Sequence, residues 1–373
     1  MVVRTVVVSD LHLGASSRAD LLRRGELRAV LVEALRPGDR LVILGDGLEL
    51  REVPVRGAAA LAEALLREAG EALGADGEIV MLAGNHDHGL VTGWMDTQLM
   101  QSDPPVLGLE ARIAPQDAGP LGRALAEAAR PATLGFAYPG IRLRDDVYAL
   151  HGHYADLHTT VPTFERLAAG AMARWVAPVP SRRATPDDYE AVLAPLYAWM
   201  HALAQRSTHG VVKAGAGASA RAWVAMTQAD GLPGRARAAA LGAGYAGAVA
   251  AINAAGIGPV RRDLSGPALR AGYLRGLGEV VARLGIEADH VLWGHSHRAG
   301  PLPGDDLAEW TAPTGARIVN TGSWVYQPHF LTGAAGSSPY WPGTAVVIEG
   351  TSPPRIERLL AGWSREALSP RPA

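Results

Sequence analysis

The sequence predicts an α/β protein in which a layered βαβ core is interrupted by a long helical insertion. Two observations support this prediction. Apolar, β-branched runs alternate with runs at helical spacing in the first part of the chain, and strand signals stop between about residues 158 and 285. Strand, helix and strand in succession favour parallel strands joined by right-handed crossovers. We therefore expect a core at 1–157 and 286–373 and a mainly helical insertion at 158–285.

The elements of the first part follow from hydrophobic periodicity. Val2–Ser9 is a nearly continuous β-branched run, which is typical of a strand buried on both faces. Leu21–Leu35 has apolar residues at helical spacing and should end at Pro37-Gly38. The same reasoning predicts a strand at Arg40–Leu44, a helix at Ala58–Leu73 closed by Gly74, a strand at Ile79–Leu82, a hairpin around Pro139-Gly140 and a strand at Val147–Leu150.

The insertion should be built from helices. Thr185 to Asp188 is a good helix start, and Pro195 should bend the helix that follows. The insertion tryptophans, Trp175, Trp199 and Trp223, are expected in its core rather than on a lipid or base platform. Strands resume at His290–Trp293, Arg317–Asn320 and Ala345–Ile348.

Ala238–Val260 has no charged residue and is flanked by arginines, so it is long enough to span a bilayer. It consists mostly of Ala and Gly, with Asn253 inside, and has little of the Leu, Ile and Phe that drive insertion. Three interpretations remain open: a transmembrane span, a helix lying on a membrane surface, and a close-packed helix of a soluble protein. The last is preferred.

Composition excludes several classes of protein. Hydrophobic residues make up 48%, and 35 Lys and Arg stand against 37 Asp and Glu, which gives a net charge of −2 and indicates a soluble globular protein. A nearly neutral chain has no global field for a polyanion, so a dedicated nucleic-acid partner is disfavoured. Since there is no Cys, any metal must bind N and O ligands. No secretory leader is visible, so we expect a cytoplasmic protein, with peripheral membrane contact through the insertion left open.

Short polar motifs follow the predicted strands. In an open α/β sheet, ligands bind outside the carboxyl ends of the strands, so loops far apart in sequence should meet in one crevice. Glycines in these loops permit tight turns and a close approach of the backbone. The five motifs are Asp10-Leu11-His12, Gly45-Asp46-Gly47-Leu48-Glu49, Gly84-Asn85-His86-Asp87, His151-Gly152-His153 and Gly294-His295-Ser296-His297.

These motifs supply carboxylate, imidazole and amide ligands, which suit Mn, Fe, Zn, Ni or Co. Too many ligands are present for one ion. With one shared carboxylate they provide four protein ligands to each of two divalent ions, and such a site would attract an anion and hold a hydroxide, as two-metal phosphoryl hydrolysis requires. The seven candidate metal ligands are Asp10, His12, Asp46, Asn85, His151, His295 and His297.

The order of these motifs resembles that of the calcineurin-like metallophosphoesterases, whose pattern is D-x-H, G-D, G-N-H-[D/E], a lone His and G-H-x-H. The similarity covers about residues 2–157 and 286–350, and Arg317 to Ser323 looks like the strand and turn after G-H-x-H. The resemblance implies a β-sandwich core flanked by helices. It also implies one metal, Mn by preference, on Asp10, His12, Asp46 and His297, and a second on Asp46, Asn85, His151 and His295.

By the same resemblance His86 would protonate the leaving oxygen or stabilise the phosphoryl charge, and Asp87 would orient its ring. The family places the ligand before the glycine, so His151 is preferred to His153. Two interpretations of Glu49 remain open: it contacts the substrate or supports another site residue, or it begins a helix.

The resulting hypothesis is hydrolysis of a phosphomonoester or phosphodiester, small or lipid-linked, by a metal-bridging hydroxide. The alternatives are a nuclease of the same superfamily, an enzyme similar to UDP-diacylglucosamine pyrophosphatase, and a non-catalytic scaffold with a relic site. Two positions argue against particular subfamilies. Protein Ser/Thr phosphatases have Glu where this chain has Asp87, and purple acid phosphatases have Tyr where it has Glu49.

Overall fold

The computed structural model describes residues 3–206, 244–263 and 265–370. Ten strands of this part form one mixed sheet. They are β1 (Thr5–Val8), β2 (Arg40–Leu44), β3 (Glu78–Leu82), β4 (Glu110–Ile113), β5 (Thr133–Arg144), β6 (Val147–Leu150), β7 (His290–Trp293), β8 (Arg317–Asn320), β9 (Thr344–Ile348) and β10 (Arg355–Arg358).

Helices surround the sheet. In the described residues the α-helices are α1 (Gly25–Val32), α2 (Val55–Leu73), α3 (Gly89–Leu99), α4 (Gly119–Ala128), α5 (Phe164–Trp175), α6 (Pro186–Arg206), α7 (244–254), α8 (Gly266–Arg283) and α9 (Arg365–Leu368). Short 3₁₀ turns lie at Leu21–Arg23, His153–Leu157 and Pro328–Phe330.

The sheet is curled about the long strand β5. Its strand order is β10-β9-β1-β2-β3-β5-β6-β7-β8, and β4 pairs with β5 off this path. The first residues of β5 pair with β3 in parallel, while its last residues pair with β6 antiparallel. An apolar cluster joins β1, β2 and β3 to β6, β7 and β8, with Val7, Val42 and Val80 on one side and Ala149, Leu292 and Val319 on the other. The two halves of the sheet therefore contribute to one shared apolar cluster.

Two further apolar clusters bind helices to the outer faces. Leu65 and Leu66 of α2 and Leu125 of α4 pack in one cluster with strands β1 to β3. Tyr189 and Leu193 of α6 pack in the other, together with α8 and strands β6 to β8. The helices between β6 and β7 thus share a core with the sheet.

Most predicted elements are confirmed. The strands at Arg40–Leu44, Val147–Leu150, His290–Trp293 and Arg317–Asn320 have the expected bounds. Helix α2 ends at Leu73, and Gly74 follows it at φ 70°, which is the positive φ that favours glycine.

Two details of the prediction were wrong. Pro139-Gly140 lies inside β5 instead of forming a hairpin, and the chain turns between Arg144 and Val147. Leu21–Leu35 is not one helix, since a 3₁₀ turn at Leu21–Arg23 precedes α1. Strands β4 and β10 and helices α3 and α4 were not predicted.

The segment between β6 and β7 contains α5 to α8, and its described residues include no strand. Helix α6 begins at Pro186 and continues past Pro195. Of Ala238–Val260, residues 238–243 lie outside the described part; 244–254 form α7, and the following residues are not helical. No helix among the described residues is long and apolar enough to cross a bilayer.

The prediction that the tryptophans of this segment are buried was wrong for two of them. Trp175, at the end of α5, is 62% exposed, and Trp199, on α6, is 55% exposed. Trp223 lies outside the described residues. Tyrosines of α6, Tyr189 and Tyr197, fill the core positions instead.

Candidate metal centre

The loops after β1, β2, β3, β6 and β7 meet at one end of the curled sheet, as predicted. Backbone hydrogen bonds join them: the amide of Asp10 donates to Gly45 O at 3.1 Å, and the amide of His12 donates to Asp46 O at 2.9 Å. Gly294 N donates to His151 O at 3.0 Å, which links the loops after β6 and β7. The predicted ligands are therefore held by neighbouring, mutually bonded loops.

Five of these residues have a positive φ although none is glycine. A left-handed backbone is unfavourable for L side chains and is concentrated at functional sites, where surrounding contacts maintain it. The residues and their φ angles are Asp10 (52°), His12 (45°), Asp46 (50°), His295 (64°) and His297 (59°). Metal-ligand candidates thus account for most of the strained positions of the described residues, the others being Arg18 and Arg183.

Asp10, His12 and His297 form one group whose ligand atoms could hold a metal ion. His12 Nε2 lies 3.2 Å from His297 Nε2, and His297 Nε2 lies 3.3 Å from Asp10 Oδ1. Ligand atoms bound to one metal at about 2.0 to 2.2 Å are themselves about 3.0 to 3.4 Å apart. Two of the three spacings in this group match those of ligands around a single ion, and the third, from His12 Nε2 to Asp10 Oδ1, is longer at 4.0 Å.

Asp46, His151 and His295 form a second such group. Asp46 Oδ2 lies 3.2 Å from His151 Nε2 and 3.7 Å from His12 Nε2. The other oxygen, Oδ1, accepts the backbone N–H of His86 at 2.8 Å. Asp46 is therefore fixed through one oxygen and directs the other between the two groups.

Asn85 lies against the second group, and its carboxamide oxygen faces that group, with Oδ1 3.2 Å from His151 Nε2. One polar atom of its carboxamide faces Asp46 Oδ2, His151 Nε2 and His295 Nδ1 at 3.2 Å each, and the other lies 2.6 Å from Arg51 Nη1. An oxygen that faces only acceptors is the arrangement in which a cation could lie between them. Asn85 is therefore oriented as a ligand of the second group.

Each histidine of the two groups uses one ring nitrogen to bond an oxygen outside the group. Since these oxygens only accept, that nitrogen carries a proton, and the other nitrogen faces the cluster, where it could offer its lone pair to a metal, as in metal sites whose histidines are oriented by such contacts. The pairs are His12 Nδ1 to Glu49 Oε2 (3.1 Å), His151 Nδ1 to Leu44 O (2.9 Å), His295 Nε2 to Asp156 Oδ1 (2.9 Å) and His297 Nδ1 to Gln327 Oε1 (3.2 Å).

The carboxylates create a field that favours positive charge. Burial lowers the pKa of His12, but the hydrogen bond to Glu49 and the charges of Asp46, Glu49 and Asp10 raise it to about 9. His151 behaves in the same way: burial opposes its protonation, yet Asp46 and Asp10 raise its pKa to about 10. A divalent cation between these groups would be stabilised by the same carboxylates.

His86 has a different partner from the one predicted. Its Nδ1 lies 2.7 Å from Glu49 Oε2, the same oxygen that accepts from His12. Asp87 does not orient this ring: it accepts the backbone amides of Gly84 at 2.7 Å, Leu48 at 3.1 Å and Asp46 at 3.2 Å. Asp87 is fully buried and faces back into the loops, so it shapes the backbone around Asp46.

The position of His86 leaves its role open between acid and ligand. It forms a third group of ligand atoms with His12 and Asp46. Its side chain is 22% exposed, more than that of His12 at 8% or His297 at 16%. The side chain of His86 is thus the most exposed among the histidines of the three groups.

His151, rather than His153, joins the cluster, as the sequence predicted. His153 is buried beside it, with ring centroids 5.6 Å apart, and its Nδ1 has no hydrogen-bond partner among the described residues. Burial lowers the pKa of His153 well below its ordinary value, and the charge of His151 lowers it further. His153 is therefore a neutral packing residue of the site.

Sequence reasoning missed three supporting residues. For Glu49 it left open a substrate or supporting contact and a helix start, and in the structure Glu49 supports His12 and His86. Asp156, Gln327 and Arg51 belong to no motif. The chain matches no protein-family model and no curated protein. The donor types, their spacing and the fixed outer nitrogens fit a transition metal bound by N and O ligands, so these buried groups could bind metal ions.

Proposed function

We propose that the protein is a metal-dependent phosphoester hydrolase of the calcineurin-like metallophosphoesterase type, acting with two divalent ions, Mn by preference and otherwise Fe, Zn, Ni or Co. One observation carries the proposal: Asp46 Oδ2 lies between two groups of ligand atoms, 3.2 Å from His151 Nε2 and 3.7 Å from His12 Nε2. A shared carboxylate of this kind is expected where two ions act as one clamp.

The fold supports the same assignment. The two halves of the curled sheet enclose an apolar cluster, as the halves of a β-sandwich do. The helices between β6 and β7 lie next to the loop that follows β6, where a cap over the site would lie. In this proposal α5 to α8 belong to a cap that selects the substrate.

When bound, divalent ions supply the positive charge that polarises a phosphoryl group and acidifies water. His86 holds a proton at the mouth of the site. Its Nδ1 is bonded to Glu49, so its Nε2 is the atom that can give a proton to a departing oxygen or stabilise its charge. Glu49 orients both His86 and His12.

Among substrates, a lipid-linked or otherwise apolar phosphoester is favoured. Four large apolar side chains of the segment after β6 are exposed, namely Phe164 (50%), Trp175 (62%), Val176 (65%) and Trp199 (55%). Contiguous exposed apolar surface marks ligand or membrane contact, whereas single exposed apolar residues are ordinary, and of these four Trp175 and Val176 are adjacent in sequence. Polynucleotides are disfavoured, because two arginines of the basic stretch 18–28 are already paired: Arg23 with Asp20 at 2.7 Å and Arg28 with Glu68 at 2.7 Å.

The test is turnover by metal-stripped protein to which Mn²⁺ is returned, on a panel of p-nitrophenyl phosphate, its bis ester, cyclic nucleotides, UDP-sugars and lipid phosphates. We expect activity on at least one ester, its loss with chelator, and two equivalents of bound metal. Asp46→Asn should lower occupancy at both positions, whereas His12→Gln should lower chiefly one. Full activity in metal-free protein, or unchanged metal content in Asp46→Asn, would refute the proposal.

A further inference from the structure

A cavity lined by arginines and apolar residues lies among the helices between β6 and β7. It has a volume of about 470 Å³ and is lined by residues of α5, of the 256–259 turn after α7, and of α8. This volume is within the range of small-molecule sites, roughly 300 to 1,000 Å³. None of the metal-ligand candidates lines it. The cavity is therefore separate from the metal centre.

Arg166 of α5 is the buried cation of this cavity. Its side chain is 2% exposed, and its Nε donates to Thr159 O at 2.7 Å. Its Nη1 is buried and has no hydrogen-bond partner among the described residues. Gly170 makes room for this guanidinium, since a Cβ there would lie against Arg166 Nη1. A buried charged donor without a partner is unfavourable, and an anion in the cavity would satisfy it.

Three more arginines line the cavity, namely Arg174, Arg275 and Arg283. The one carboxylate among the described lining residues is Glu279, which bonds Arg283 at 2.7 Å. Four arginines against one glutamate leave three positive charges in excess. These positive charges also act on His158: burial lowers its pKa, and the charges of Arg283 and Arg166 lower it further, to about 3. The charged lining residues other than Glu279 favour an anion, while Asp156, which does not line the cavity, counters the lowering of the pKa of Arg166 by burial.

The rest of the lining is apolar, with Leu157, Val179 and Ile257 beside the arginines. Guanidinium groups bind phosphate in a bidentate manner, and an apolar wall accommodates the organic body of a ligand. We propose that this cavity binds a small phosphorylated organic molecule, with Arg166, Arg174 and Arg275 holding its phosphate. The binding does not require the proposed metal centre or its activity.

The experiment titrates inorganic pyrophosphate into the full-length protein by calorimetry, after the metals have been stripped and the chelator dialysed away. We expect saturable binding that weakens as salt is raised. Arg174→Ala and Arg275→Ala should each weaken binding about ten- to a hundred-fold, the effect of losing one charged hydrogen bond of about 1.5 to 3 kcal/mol. These two arginines are exposed, so their removal should leave the fold intact.

The matched controls are Arg36→Ala and Arg130→Ala, exposed arginines outside the cavity, which should bind pyrophosphate like the unaltered protein. Arg166→Gln should abolish binding, and its circular dichroism spectrum reports whether it has folded. Citrate serves as a carboxylate probe. Absence of pyrophosphate binding, binding that the cavity variants leave unchanged, or binding of citrate in place of pyrophosphate would each overturn the proposal.

Discussion

Glu49 is the residue on which the orientation of two histidines depends. Its Oε2 accepts from His12 at 3.1 Å and from His86 at 2.7 Å, while its Oε1 accepts the backbone N–H of Arg51 at 3.0 Å. Burial raises the pKa of Glu49, but His86 and His12 outweigh it and hold the pKa well below its ordinary value. A carboxylate can satisfy all three donors because it only accepts.

Glu49→Gln should weaken metal binding about 10- to 100-fold, the usual cost of losing a contact that orients a metal-ligating histidine. One polar atom of the amide becomes a donor, so it opposes either the two imidazoles or the Arg51 amide. Competition with a fluorescent chelator measures the affinity. Glu127→Gln, at an exposed position, is the control and should bind metal normally. Equal affinities in both variants would contradict the role of Glu49.

The His86→Ala variant distinguishes a role of His86 as a proton donor from a role as a metal ligand. As a proton donor outside the ligand set, His86 should be dispensable for metal content, and its loss should lower kcat by about 10² to 10⁴. The loss should be much larger on an alkyl phosphoester than on a p-nitrophenyl ester, because p-nitrophenolate needs little protonation. Elemental analysis measures the metal content of the variant, and steady-state kinetics measure kcat on the two esters.

Two results would change this assignment. Equal losses on both esters would favour stabilisation of phosphoryl charge over proton donation. Loss of one metal equivalent would place His86 among the ligands, as its grouping with His12 and Asp46 allows.

At the scale of elements, helix α6 is anchored to the site loops by a buried carboxylate. Glu190 accepts His88 Nε2 at 2.9 Å and the hydroxyls of Tyr138 and Tyr154. It is 5% exposed. These bonds tie α6 to β5, to the loop after β3 and to the 3₁₀ turn after β6, so they hold the proposed cap against the core.

Glu190→Ala should lower the free energy of unfolding by about 3 to 5 kcal/mol, since removing one member of a buried charged network leaves the others without a partner. Urea denaturation followed by circular dichroism measures the change. Glu127→Ala, whose side chain is 72% exposed in its pair with Arg130, should cost less than about 1 kcal/mol. A loss for Glu190→Ala as small as that of the control would show that the network does not anchor α6.

Most elements could be predicted from periodicity because strands such as β1 and β9 are buried along their whole length and nearly all apolar, whereas β4 and β10, which were not predicted, are partly exposed and carry charged residues. The hairpin predicted at Pro139-Gly140 was wrong because turn residues usually end a strand. Here they lie where β5 passes from one half of the sheet to the other. Seven ligand candidates could be predicted because they follow strands in short motifs. Asp156 and Gln327 could not be predicted, because each is far in sequence from the histidine that it contacts. Asp156 lies 139 residues before His295, and Gln327 lies 30 residues after His297.

At the scale of the molecule, the candidate centre joins the two halves of the curled sheet. Asp10, His12 and Asp46 come from loops of one half, while His151 and His297 come from the other. In each group, ligand atoms of buried carboxylates and imidazoles lie within 4.8 Å of one another, and a cation between them would bind only the folded chain. Metal binding should therefore stabilise the fold as a whole.

Stripping the protein of metal and returning Mn²⁺ or Zn²⁺ should raise Tm. At a metal concentration of 100 times Kd the gain is about 2.7 kcal/mol, which for a chain of this length corresponds to about 3 °C. Ca²⁺ should do much less, because it prefers oxygen ligands and four of the candidate ligands are imidazoles. Asp46→Asn should reduce the shift with Mn²⁺ while Glu127→Gln retains it. A Ca²⁺ shift equal to that of Mn²⁺ would point to surface carboxylates instead of this cluster as the site of binding.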